Sequence, residues 1–180
     1  IMAGGLGNIA LDVGQTIGSG GNSKEVTIID FVESSWGLNK PLYPVQRIIL
    51  KAHYGVALDD TKVFEVTDWR RQNPRYFTEK TYLEYLYDAG RANIRTVEPG
   101  RERRKMVLAI GRRSGKTFLA ACIAAYETYK LILKGNPQKY YGISNVIQIV
   151  SVATDQKQAG LLYNDVSAHF NQCKFFGPYT

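Results

Sequence analysis

Between Met106 and Leu133 a short apolar run (Met106, Val107, Leu108, Ala109, Ile110) leads into Gly111-Arg112-Arg113-Ser114-Gly115-Lys116-Thr117 and then into a helical pattern of apolar residues. Few folds admit that order. A strand that delivers a tight glycine-containing turn converges backbone N–H groups on one spot, and the helix behind it adds the positive end of its dipole. The product is a cradle for phosphate oxygens. Lys116 would reach the β- and γ-phosphates as a point charge, and the Thr117 hydroxyl would ligate the Mg²⁺ that bridges them. Gly115 leaves room for close backbone approach. Against the general pattern G-x-x-x-x-G-K-[ST] the first glycine is displaced, with Ile110 in its place and the glycine at 111.

Downstream, Phe118, Leu119, Cys122, Ile123, Tyr126, Tyr129 and Leu133 recur at helical spacing, and Gly135 with Pro137 closes that helix. Asn145 to Ala153 is apolar at Val146, Ile147, Ile149, Val150 and Val152, as a central parallel strand buried on both faces is. Thr154 is placed to cap a helix running to about Phe170. Strand, loop, helix, strand, helix predicts an α/β fold with a parallel sheet, helices on both faces, and ligand at the carboxyl ends of the strands.

Upstream, residues 1–23 hold seven of the 17 glycines and predict a flexible arm. Asn22 or Ser23 is placed to cap a helix through about Trp36, with Gly37 ending it. Pro44 suits the first position of a helix running to about Tyr54. Gln46 near its start offers an amide donor and acceptor, the pair that matches the N6 and N7 edge of adenine. Residues 55–105 read as an insertion before the loop. A turn at Asp59-Asp60 precedes an edge strand within Lys62 to Trp69, which Pro74 breaks, and Thr78 caps a helix from Glu79 to about Ala89 that Gly90 stops. Trp69-Arg70-Arg71 and Arg75-Tyr76 mix basic and aromatic groups as nucleic-acid surfaces do, a composition that an ordinary amphipathic insertion shares.

Charge sharpens the picture. Residues 91–116 carry nine basic side chains against two acidic ones, the whole of the net +7, while the other 154 residues balance at 14 each. A field focused beside a phosphate loop suits a polyanion, and solvated surface arginines are the plainer alternative. The two cysteines, Cys122 and Cys173, lack metal-type spacing, and Cys122 sits in an apolar run, so reduced thiols and a cytosolic setting are expected. No run approaches the roughly 20 apolar residues of a membrane span, and no basic start marks a signal peptide.

Three stretches together resemble the N-terminal ATPase domain of the tailed-phage terminase large subunit, a motor that packages double-stranded DNA. Leu42-Tyr43-Pro44-Val45-Gln46 resembles that family's adenine-binding Q motif. Gly111 to Thr117 resembles its deviant Walker A, in which the displaced glycine is the expected form. Val150-Ser151-Val152-Ala153-Thr154-Asp155-Gln156-Lys157-Gln158-Ala159 resembles the strand-to-helix segment that follows. The resemblance covers about residues 27–170 and implies a P-loop NTPase of the RecA-like (ASCE) kind, with ATP and Mg²⁺ as cofactors.

Carried over by position, the nucleotide contacts would be Gln46, Gly111, Arg112, Arg113, Ser114, Gly115, Lys116, Thr117 and Phe118, with Thr117 on Mg²⁺. Lys116 and Arg112 would be catalytic, Arg112 stabilising γ-phosphate charge in cis. A trans-acting arginine somewhere between Arg91 and Arg104 is also implied. The implied partners are double-stranded DNA, a portal protein, a small terminase subunit and further copies of the chain in a ring on the prohead, and the implied location is the host cytoplasm and, transiently, the prohead portal.

The departures are equally specific. After Lys116 no apolar run ends in Asp-Glu, so the Walker B half and its catalytic glutamate are expected outside this sequence, together with a metal-dependent nuclease domain. Ile28-Ile29-Asp30 precedes the loop in a helical pattern and does not serve. The chain is expected to bind ATP weakly on its own without turning it over. A RecA-like helicase or translocase and a P-loop small-molecule kinase are the competing readings.

Overall fold

The computed structural model describes residues 25–67, 73–111, 114–135, 137–153 and 155–179. The glycine-rich arm, with Asn22 and Ser23, lies outside them. Helix α1 (Ile28–Glu33) opens on Thr27, whose hydroxyl accepts the Asp30 N–H while the Asp30 carboxylate accepts the Thr27 N–H. That reciprocal cap fixes its start. The helix stops short of Trp36 because Ser34 turns extended and the Leu38 N–H returns to the Phe31 carbonyl at 3.0 Å. Gly37 permits this return, since a Cβ there would stand 1.9 Å from the Phe31 carbonyl oxygen.

Helix α2 (Pro44–Tyr54) has proline at its first position, as the sequence indicates, and ends on Gly55 in the left-handed region with φ 64°. The basic segment is laid against this end. Gly100 N–H donates to the Gly55 carbonyl and Arg103 N–H to the His53 carbonyl, both at 2.8 Å. Strands β1 (Phe64–Thr67) and β2 (Pro74–Phe77) form an antiparallel hairpin with Phe64 opposite Phe77. Pro74 thus starts a strand where it was expected to break one, and the first residue of an edge strand is where a missing N–H is tolerated. Helix α3 (Glu79–Asp88) carries the Thr78 cap that the sequence indicates. Trp69, Arg70 and Arg71 lie outside the described residues.

Helix α4 (Lys116–Leu133) packs on α6 (Gln156–Gln172), α1 packs on α4 and on α2, and the Tyr54 ring at the end of α2 meets Tyr126 of α4 at 5.1 Å. Phe31 is the fully buried centre, 4.8 Å from the Tyr129 ring, 5.7 Å from Tyr126 and 6.2 Å from Phe176. The tyrosine hydroxyls find acceptors, Tyr126 on the Val26 carbonyl and Tyr54 on Glu127, as buried phenols must. Leu119, Cys122, Tyr126 and Tyr129 of the predicted stripe are buried, whereas Leu133 is exposed. Pro137 closes α4 by opening the short α5 (Pro137–Tyr141). The cap of α6 is Asp155, whose carboxylate accepts the Gln158 N–H at 2.8 Å, and Thr154 is outside the described residues.

The described residues do not show the expected parallel sheet. Among the described residues the hairpin is the only ladder. Met106–Ile110, read as a short apolar strand, and Asn145–Ala153, read as a buried central one, are irregular and largely exposed, with Val107 at 93% and Val152 at 90%. A segment apolar on both sides is buried only between ladder neighbours and under helices on both faces. Among the described residues neither segment has such a neighbour. No helix among the described residues is long and apolar enough to cross a membrane.

Candidate functional site

Helix α4 begins immediately after Gly115, which is left-handed with φ 76° and ψ 21°. Among the described residues no side chain caps this end, which leaves its first amides for an external acceptor at the positive pole of an 18-residue helix. Before it, the Ser114 hydroxyl donates to the Gly111 carbonyl at 2.6 Å and closes the loop. Lys116 is exposed and Thr117 half-buried, and neither side chain is engaged in a hydrogen bond or ion pair among the described residues. A cation, a hydroxyl and uncapped amides therefore stand together. Arg112 and Arg113 lie outside the described residues.

Gln46 comes to this loop from α2. Its Oε1 accepts the Tyr43 N–H at 3.0 Å, and its Nε2 lies 2.8 Å from where a Cβ on Gly115 would stand. Glycine is thus required twice at 115, for the left-handed turn and for the amide beside it. Gly115→Ala is expected to lower unfolding free energy by about 1–2 kcal/mol from the backbone alone, plus a part from the displaced amide. Urea titration of G115A and of Q46A/G115A separates the two, because removing the Gln46 amide relieves only the second part. An unchanged urea midpoint in G115A would show that the turn is not left-handed.

Helix α2 is anchored by an ion cluster that sequence reasoning missed. The Glu79 carboxylate accepts Lys51 Nζ at 2.6 Å and the Asp59 N–H at 2.8 Å on one oxygen, and Arg47 Nε at 3.1 Å on the other. Arg47 also pairs with Glu33. Glu79 and Lys51 are both buried. The only hint in the sequence was the i, i+4 spacing of Arg47 and Lys51 directly after Gln46.

Phe118, the last of the predicted nucleotide contacts, sets its ring edgewise to His169 at 5.8 Å. His169 is buried, and its Nδ1 has no partner among the described residues. Burial pushes this imidazole below its ordinary value of 6.5, nearby Lys40 pushes the same way, and Asp165 opposes them. The folded state therefore binds fewer protons than the unfolded one. Stability is expected to be full above about pH 6.5 and to fall as pH drops from there through the folded value. Urea midpoints from pH 7.5 to 5 check this, and His169→Gln should flatten the slope. His53, also lowered by burial, contributes in the same direction.

A left-handed glycine opening a long uncapped helix, with lysine and threonine as its first residues and a serine-closed loop before it, defines a P-loop domain. The comparison with known families agrees: the chain belongs to the family described as "Uncharacterized protein MJ0330, N-terminal P-loop domain", which matches residues 16–179. No curated protein and no solved structure matches the chain. The described sequence-predicted contacts, Gly111, Ser114, Gly115, Lys116, Thr117 and Phe118, follow one another through the loop into α4, and Gln46 joins them across the fold. Among the described residues no group of three or more His, Cys, Asp or Glu side chains is placed to hold a metal ion.

Proposed function

We propose that the chain binds ATP with Mg²⁺ and serves a nucleotide-hydrolysing motor acting on double-stranded DNA, of the terminase large-subunit kind that its motifs resemble. The observation that carries the nucleotide reading is the meeting of Gln46 with Gly115 beside the uncapped start of α4. One element offers amides and an ammonium to phosphates, the other offers an amide to a base. In this reading the loop amides and Lys116 hold the β- and γ-phosphates, and Arg112 steadies the charge that develops on the γ-phosphate. Gln46, its Oε1 already steadied by Tyr43, would use the remaining lone pair and an Nε2 proton on adenine. Mg²⁺ at Thr117 would neutralise charge between the phosphates.

The motor part of the reading rests on the three motif resemblances. Its partners would be duplex DNA, a portal protein, a small terminase subunit and further copies in a ring. Phosphate release by the complete polypeptide that carries this domain and its Walker B half, with and without linear duplex DNA, tests it. Stimulation by duplex supports a DNA motor. Release that is indifferent to DNA but driven by a small phosphoryl acceptor would turn the reading toward a kinase.

A further inference from the structure

A cleft beside α2 is separate from the start of α4, since neither Gly115 nor Lys116 lines it. It encloses about 890 Å³ between α2, α3 and residues 90–108. Its floor is aliphatic, built from Val45, Ile48, Leu83, Leu86 and Met106, and among the described residues no Phe, Tyr or Trp lines it. Along its wall run Arg91, Arg104 and Lys105, all exposed and none in an ion pair among the described residues. Glu102, in the same wall, is committed to Lys130 at 3.0 Å. The cleft therefore presents an apolar base under an uncompensated positive rim.

Each feature narrows the occupant. An apolar centre with a charged rim is the anatomy of a protein interface. Several separated cations call for several negative charges, which a single-headed lipid does not carry. A nucleic-acid strand supplies the charges, but its bases gain most from aromatic platforms, and among the described residues His53 is the only ring in the lining. Aliphatic side chains alternating with carboxylates satisfy both parts at once. We propose that this cleft docks a short acidic, aliphatic-rich peptide segment of a partner protein, independently of nucleotide at the phosphate loop.

The test uses a fluorescein-labelled peptide of roughly 12 residues, leucines at i, i+3, i+4 and i+7 and glutamates elsewhere, read by anisotropy. It is run on the chain, on R104E/K105E and on Val45→Asp, each first checked for an unchanged melting temperature. If Val45→Asp does not fold, Leu86→Ser takes its place. Binding is expected to weaken by about tenfold or more in both the rim and the floor variants. A photo-crosslinker on the peptide is expected to label residues near Leu86 and Met106. Equal binding of a control peptide with serine for leucine would reduce the site to bare charge and overturn the proposal. So would crosslinks confined to the exposed apolar stretch Val146–Val152, tighter competing binding of oligo(dT), or no binding. None of these outcomes bears on the phosphate loop, so they stand apart from the ATP reading.

Discussion

Glu79→Ala is expected to cost about 3–5 kcal/mol of folding free energy, enough to unfold a marginal domain. The substitution removes the acceptor of a buried ammonium. Lys51 Nζ, 2.6 Å from Glu79, would be left inside with no counter-charge, and the Asp59 N–H and Arg47 Nε would lose their acceptor together. The penalty comes from the stranded cation more than from the lost bond. Urea unfolding of Glu79→Ala beside the double variant Glu79→Leu/Lys51→Met makes the distinction. The double variant is expected to regain most of the loss, because replacing both ions with apolar groups of similar size is often neutral. A loss below about 1 kcal/mol in the single variant would place the pair in solvent instead.

The second large effect concerns ligand binding. Lys116→Ala is expected to weaken binding of a fluorescent ATP analogue by about ten- to a hundredfold, the range of one charge-assisted hydrogen bond. Its folding should be nearly untouched, since the Lys116 side chain is exposed and engages no other described group. Titration with and without Mg²⁺, against Thr117→Ala, completes the measurement: Thr117→Ala should weaken binding chiefly when Mg²⁺ is present. Unchanged affinity in Lys116→Ala would remove the phosphate loop from nucleotide binding altogether.

What the sequence revealed and what it hid divide along the range of the interactions. Helices α2, α3 and α4 were legible with their ends because proline, threonine and glycine act within a turn of the residues they cap. The loop was legible because its chemistry is contiguous. Helix α1 was read too long, because the return of Leu38 to Phe31 is a turn that apolar spacing does not announce. The strands failed for a deeper reason. An apolar run states that a segment wants partners on both sides, but not which segments come, and in Met106–Ile110 and Asn145–Ala153 the want is met by none of the described residues. At the site, Gln46 was recognisable by type, yet its position against Gly115 depends on the Glu79 cluster that fixes α2, and charges brought together from three elements leave no local pattern.

Cys122 and Cys173 are both buried and unbridged, and burial holds the Cys122 thiol up at about 12. Thiolate is the reactive form, so a sulfhydryl reagent finds neither residue until the core that buries it opens. The chain thus carries its own stopwatch: the rate at which each cysteine takes up label reports how often that core breathes, without any engineered probe.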